Sequence, residues 1–361
     1  MEESDRLMPD AEPRYAPERL QAFVVEALQR AGAAAADALL TAEGLVHADL
    51  RGVHTHGVIR TAVYVARLRR GSVNGSATLT TVTARGPVAL VDAGAGLGIA
   101  MASRAMDMAV DLARTHGVGL VGVRNSSHCG MLAGPALRAV ASCLIGVAIS
   151  NADAQVAPWG ARTRFLGTNP MAIAIPAGQQ PPIVLDMATS VVPQSRIQAA
   201  AARGQDLLPG WAIARDGRPT TDPHEALLGA LLPFGGPKGS GISLMIDVLA
   251  GLLTGALSGP DITPLYEDLD RPQGLGHLMM ALSPGAFGPV DAFTDRVDAL
   301  IRRVRALPPA EGFDRVYLPG ELEHERMLEY RRSGIPLPEE ARAAIERLAD
   351  ELGLAAPLPQ A

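Results

Sequence analysis

The stretch from residue 88 to 123 constrains the fold most. An apolar segment, 88–92, leads through the glycine-rich turn DAGAGLGIA into an Ala- and Met-rich segment of helical spacing, 98–116, and 118–123 is apolar again. Strand, helix and strand in that order form a βαβ-like unit, which points to an α/β protein. The turn invites a dinucleotide reading but does not complete G-x-G-x-x-G. Ile99 stands where the third glycine belongs, after Gly94 and Gly96. With 38 glycines in the chain, such a run reads as a tight turn.

Around this unit the pattern predicts two helices between 16 and 47, broken near Gly32, after a loose tail over 1–15. Residues 54–70 read as one helix, with Thr55 as a cap and Val58, Ala62, Val65 and Ala66 on one face. Strands are expected within 77–92 and at 144–150, and a helix over 131–141. Two short strands over 165–190 are read as joined by the turn LGTNP. The turn-rich 205–232 reads as an excursion over the surface, 239–255 as an apolar helix, and 289–306 and 337–352 as amphipathic helices.

Composition then removes whole classes. The chain has 361 residues, 48% of them hydrophobic, enough for a sizeable core in two or three domains. Its Gly and Pro follow no period, which excludes a collagen-like chain, and the net charge of −6 argues against nucleic acid as a partner. Cys129 and Cys143, both in apolar surroundings, make neither a disulfide framework nor a CxxC pair. The acidic N-terminus lacks the apolar centre of a signal peptide, and the longest apolar run, 242–257, is interrupted by Asp247. That run reads as a buried helix rather than a membrane span, and the expected compartment is the cytoplasm.

Three clusters can carry chemistry. In HADLRGVHTHGVIR, a metal shared by His54 and His56 needs both imidazoles on one side, which the helical spacing after Thr55 disfavours. On that spacing His56 sits in a first turn with Arg60 one turn later. A neutral imidazole at a helix start can accept a proton, and a guanidinium beside it can clamp a carboxylate. A capping histidine and a surface arginine would have the same spacing. In RNSSHCGMLAG, His128 and Ser127 stand at a strand-to-helix turn, where free backbone N–H groups can receive an anion. In PFGGPKGSG, Lys238 precedes an apolar helix. It is the only lysine among 32 basic residues, and an anion would relieve its repulsion with the helix N-terminus.

DLRGVHTHGVIR, NSSHCG, APWG, LGTNPMAIAIP, LDMATS, PGWAIARDGRPTTDP, LPFGGPKGSG and a late PGELE occur in this order. Together they resemble the second type of malate/L-lactate dehydrogenase, a family that includes ureidoglycolate, sulfolactate and diketogulonate enzymes and cyclic imino-acid reductases. The resemblance spans about 15–335. It implies a non-Rossmann, L-sulfolactate dehydrogenase-like α/β fold with a mixed sheet and flanking helical elements. An N-terminal helical region, 1–80, would pack with the C-terminal helices of 285–361, and 81–284 would hold cofactor and substrate.

The resemblance also implies an NAD- or NADP-dependent homodimer that moves a hydride to or from C2 of a small 2-hydroxy or 2-oxo acid. His56 would be the acid–base residue with Thr55 as its relay, and Arg60 and Thr168 would bind substrate. His128, Cys129, Gly130, Met131 and Leu132, then Asp186, Met187 and Ala188, then Lys238, Gly320 and Glu321 match cofactor-binding positions. His128 matches a histidine proposed as the base in some members. No metal, nucleic acid or membrane is implied. Ser127, Cys129, Thr55, Ser240 and the segment PQSRI depart from the usual pattern. Three rivals remain: a reductase of a cyclic imino acid, a metal-dependent hydrolase using His47, Asp49, His54 and His56, and a non-catalytic relative that only binds a dinucleotide or small acid. Arg124 and Arg196 are candidates to meet a 2′-phosphate.

Overall fold

The computed structural model describes residues 12–360. One seven-stranded sheet organises them. Its strands in chain order are β1 (Thr80–Arg85), β2 (Val88–Asp92), β3 (Val118–Ser126), β4 (Ile145–Ser150), β5 (Met171–Ile175), β6 (Ile183–Met187) and β7 (Leu275–Leu282). Across the sheet they run β1-β2-β3-β7-β4-β5-β6. The pair β2 and β3 is parallel, joined by the expected helix, and every other pair is antiparallel. A sheet with one parallel pair is mixed and not a Rossmann sheet, whose strands are mostly parallel.

The helices are α1 (Pro17–Arg30), α2 (Ala35–Leu50), α3 (Thr61–Arg70), α4 (Gly98–His116), α5 (Ala133–Val140), α6 (Gln194–Arg203), α7 (Pro223–Leu228), α8 (Pro237–Ile246), α9 (Val290–Arg305), α10 (Glu321–Ser333) and α11 (Glu339–Leu352). One core cluster runs from Leu20 and Phe23 on α1, through Met101 and Met106 on α4 and Val121 and Met279 in the sheet, to Ile345 and Leu348 on α11. Two strands carry glycine where a helix crosses close. An added Cβ at Gly119 would stand 2.0 Å from the Ala109 carbonyl of α4, and one at Gly146 would stand 2.2 Å from the Ala136 carbonyl of α5. Small residues here let the helix backbones rest almost on the sheet.

Several expectations change. The central strand β7, LGHLMMAL, carries no clean alternation because helices cover both its faces, and nothing in the pattern marked it. The turn LGTNP precedes β5 instead of joining β5 to β6. The single helix expected over 54–70 is two 3-10 turns, His54–His56 and Val58–Arg60, followed by α3, and Thr55 makes no cap hydrogen bond. Residues 205–232 hold α7 and a small three-stranded sheet of Ala212–Ile213, Pro219–Thr220 and Ala230–Leu231, with a separate core around Ile197, Leu207 and Leu231. Helix α10, ELEHERMLEYRRS, lacks an apolar stripe and was not anticipated.

Of the expected tail, 12–15 falls within the described residues, and there Arg14 and Tyr15 pair with Pro336 and Ile335. Residues 1–11 lie outside them. The apolar helix continues from α8 as a π-turn, Asp247–Leu252, and is not buried in this chain. Ile242, Met245, Leu249, Leu252 and Leu253 are exposed. Cys143 is exposed as well, contrary to its apolar sequence context, while Cys129 is buried. No described helix is long and apolar enough to cross a membrane.

Close helix–sheet approach makes a direct prediction. Gly146→Ala should lower stability by about 1–3 kcal/mol, because the new methyl must displace α5. Gly241→Ala, mid-helix with open space around it, should be neutral or slightly stabilising. Urea midpoints of the two variants check this, and equal midpoints would refute the packing argument.

Candidate active site

The site is built on the turn after α2. Asp49, fully buried, accepts hydrogen bonds from His54 Nδ1 (2.8 Å) and from the Val58 backbone N–H (2.7 Å). Gly57 leaves room for that carboxylate, since a Cβ there would stand 2.0 Å from Asp49 Oδ1. Val58 is therefore pinned from behind, and His54 is drawn inward, stacked 6.3 Å from the Tyr330 ring. His56 points the other way. Its ring stacks on His128 with centroids 5.6 Å apart and planes 18° from parallel, and its Nδ1 lies 3.0 Å from Thr55 Oγ1.

Arg60 completes this side. Its Nε donates to the Thr55 carbonyl (2.6 Å), its guanidinium carbon lies 5.2 Å from the Tyr266 ring centroid, and its terminal nitrogens make no hydrogen bond to the described residues. The structure thus brings Thr55, His56, Arg60 and His128 together and separates His54 from His56, as the spacing argued. The cause of a neutral His56 differs from the expectation, because no helix starts at it. Burial, with Arg60 adding to it, holds its pKa down at about 3.

His128 follows β3 and is held on both sides. Tyr64 OH lies 2.7 Å from its Nδ1, and its backbone N–H donates to Gln273 Oε1 (2.9 Å). The Gly130 N–H also points to Nδ1, at 3.4 Å. A nitrogen approached by a backbone N–H is an acceptor, so Tyr64 donates to it and the proton of neutral His128 resides on Nε2. Burial, then the charges of Arg60 and His56, keep His128 well below the ordinary histidine value. Tyr64 was missed in the sequence although it stands four residues after Arg60, one turn along the same helix face. Gln273, far away in sequence, left no such signal.

The residues matched to the cofactor gather around the end of β6. The Ala133 N–H, at the start of α5 and just past Leu132, donates to Asp186 Oδ2 (2.7 Å). The 319–321 turn lies along β6, with Val184 N–H donating to the Pro319 carbonyl (3.0 Å) and Gly320 so close that a Cβ would stand 2.6 Å from the Val184 carbonyl. Thr189, just past Ala188, is bonded to the Thr168 carbonyl and to the Phe234 N–H, which brings the GTNP turn and the segment holding exposed Lys238 alongside. Asp186 is open to solvent yet ringed by protein, and that surrounding raises its carboxyl to about 6.

Arg51, 3% exposed, has an Nε buried with no hydrogen-bond partner, and its charge acts on Asp186. A buried unpartnered guanidinium donor beside this strand end fits an anionic ligand such as a dinucleotide. Cys129, Met131 and Gly134 also line a cavity of about 640 Å³ against α1 and α2, but His56, Arg60 and Asp186 are not on its wall. The Glu321 carboxylate is engaged by Arg305 (3.0 Å) and the Leu318 N–H, and its backbone N–H donates to the Leu318 carbonyl (3.1 Å).

The departures from the family pattern have local causes. Ser127 Oγ donates to the Gly96 carbonyl (2.8 Å) and accepts from the Gly98 N–H (2.9 Å), so the glycine turn is tied to the protein and its N–H is occupied. Ser240 Oγ accepts from Trp159 N–H (2.9 Å). Arg124 is paired with Asp92 (3.0 Å), and Arg196 lies over the Trp211 ring. Among the described residues no three His, Cys, Asp or Glu side chains are arranged to hold a metal ion. Since Asp49 and Gly57 set the turn, Gly57→Ala should cost at least tenfold in turnover and about 1–3 kcal/mol in stability. Unchanged kinetics in a folded variant would remove Asp49 from this account.

Residues 15–346 match the family model described as malate/L-lactate dehydrogenase. The L-sulfolactate dehydrogenase of Methanocaldococcus jannaschii is 33% identical over 341 residues, 94% of this chain and 97% of that protein. The solved structure of sulfolactate dehydrogenase from Methanocaldococcus jannaschii superposes with a TM-score of 0.89 over 95% of this chain and 98% of that one. The NAD(+) ureidoglycolate dehydrogenase of Escherichia coli K12 is 33% identical over 84% of this chain and 86% of its own length. The NADP(+) (2R)-3-sulfolactate dehydrogenase of Chromohalobacter salexigens is 34% identical over 88% of this chain and 93% of its own. The mixed sheet, the paired imidazoles with a free guanidinium and this likeness along nearly the whole chain lead to one conclusion: the chain belongs to the malate/L-lactate dehydrogenase family.

Proposed function

We propose that this protein is an NAD(P)-dependent dehydrogenase acting on the CH–OH group of a small 2-hydroxy acid, and on the corresponding 2-oxo acid in reverse. The observation that carries the reading is the free guanidinium of Arg60 beside the His56–His128 stack. Two N–H donors in one plane hold a carboxylate bidentately, and this fixes the C2 oxygen near an imidazole. Residues 128–132, 186–188, Lys238 and 320–321 would hold the nicotinamide cofactor, which would supply or accept the hydride at C2.

His56 handles the proton. In the tautomer whose Nδ1–H donates to Thr55 Oγ1, 3.0 Å away, His56 Nε2 carries a free lone pair and takes the hydroxyl proton during oxidation. In reduction the imidazolium returns that proton to the carbonyl oxygen as the hydride adds to C2. His128, with its proton on Nε2 and its Nδ1 held by Tyr64, is a hydrogen-bond donor that polarises the same oxygen. Thr168 contacts the substrate from the GTNP turn. Two stacked imidazoles cannot both carry charge at low cost, which suits one base and one neutral donor.

The protein acts as a homodimer in the cytoplasm. Support for the dimer is the exposed apolar ridge of Ile242, Met245, Leu249, Leu252 and Leu253, and for the compartment the two free cysteines. Leu252→Arg should shift the protein from dimer to monomer in sedimentation. A monomeric unsubstituted protein would end that proposal.

His56→Ala should lower turnover by at least a hundredfold while dinucleotide affinity stays within twofold. The sign of the pH dependence follows from the depressed His56 pKa. Oxidation needs the neutral ring, so its kcat/KM should be flat from pH 8 down to 6. Reduction needs the protonated ring, so its kcat/KM should fall by roughly tenfold per pH unit as the pH rises. NADH and NADPH oxidation against a panel of 2-oxo acids and cyclic imino acids is the primary assay. Turnover with cyclic imino acids alone would move the reading to C=N reduction.

A further inference from the structure

The loop from Pro264 to Gln273 is held by a residue that no sequence pattern singled out. Arg67, on α3 and fully buried, finds an acceptor for each of its N–H donors. Nε donates to the Leu265 carbonyl (3.0 Å), one terminal nitrogen to Ser72 Oγ (3.3 Å) and the Arg271 carbonyl (3.1 Å), and the other to the carbonyls of Pro264 (2.6 Å) and Asp268 (2.8 Å). The loop so fixed returns to the site at two points. Gln273 receives the His128 N–H, and Tyr266 lays its ring against Arg60. Tyr266 is 58% exposed, so its ring is not a core group and stands open beside the guanidinium.

The cations around this site are unequal. Arg60 and Arg67 are the guanidiniums whose charges act on His128, and only Arg60 has donors left to offer. A carboxylate takes the terminal nitrogens of Arg60 in their plane, while an aromatic ring covers the face of the same group. A second anionic group on the substrate would meet the phenol ring, a saturated Arg67 and the field of Asp153, which acts on both guanidiniums. Asp153 belongs to the loop whose Ala152 N–H is bonded to Asn169, beside Thr168. An anion desolvated there finds no donor in Arg67, whose N–H groups are all engaged, and none in the face of the Tyr266 ring.

We propose that the Pro264–Gln273 loop, clamped by Arg67, is the substrate-selecting wall of the site and that Tyr266 makes it favour acids with a single carboxylate over those bearing a second anionic group. The proposal rests on Arg60 as the carboxylate anchor of the reaction proposed above.

The test compares kcat/KM for pyruvate, 2-oxobutyrate and 2-oxovalerate with that for oxaloacetate and 3-sulfopyruvate. At least one monocarboxylate should exceed both dianions by tenfold or more. Tyr266→Arg, which adds a second cation, should raise the oxaloacetate-to-monocarboxylate ratio at least tenfold, while Tyr266→Phe keeps it within threefold. A gain of this kind cannot come from misfolding. A dianion preferred by the unsubstituted protein, or an unchanged ratio in Tyr266→Arg, would overturn the wall. If no 2-oxo acid is turned over, the reaction reading fails by itself. Oxamate and hydroxymalonate titrated into the NADH-saturated protein then read the wall: tighter oxamate supports it, and tighter hydroxymalonate, equal binding of the two or binding of neither overturns it.

Discussion

One buried carboxylate organises the chemistry of this chain. Asp49 ends α2 inside the core, where an ionised group is tolerated only if its oxygens are met by donors. Those donors are His54 Nδ1 and the Val58 N–H, and both belong to the turn that carries Thr55, His56 and Arg60. Satisfying Asp49 therefore shapes the turn, sends His54 inward and His56 outward, and delivers Arg60 to the mouth of the site. This one acceptor divides the histidine pair, holding His54 against the core and leaving His56 on the side of His128, where the acid–base role is proposed for it.

The other half of the site depends on the centre of the sheet. His277, fully buried on β7, lies 2.8 Å from Ser126 Oγ on β3 through one ring nitrogen and 2.8 Å from Ser150 Oγ on β4 through the other. This bridge ties the ends of three adjacent strands just before the chain leaves β3 for His128. Above it, Gln273 and Tyr64 hold the backbone and ring of His128 from opposite elements. The imidazole thus has a fixed tautomer and little freedom, which is what the donor role proposed for it needs.

The same logic accounts for residues that looked like weaknesses. Ser127 holds a glycine turn closed, and Ser240 satisfies a backbone N–H of Trp159. Cys129, buried and raised to about 11 by that burial, is an unreactive packing group. None of these removes a group from the reaction centre, so the departures bear on fit and selectivity more than on the ability to move a hydride.

Much of this was legible in the sequence. The βαβ unit, helices α1, α2, α4, α9 and α11, and the ordered motifs depend on local periodicity and spacing, which a linear chain displays directly. So did the gathering of His56, Arg60 and His128, though through resemblance more than through spacing. The strand β7, the charged helix α10, Tyr64 on His128, and the Arg67 clamp were decided by tertiary structure. A strand with apolar neighbours on both faces shows no alternation of residue type, although the burial of β7 itself alternates from His277 on, and a buried arginine reads in sequence like any of the other 31 basic residues. Periodicity records which face a residue turns to the core; only packing decides which distant carbonyl, ring or carboxylate it meets there.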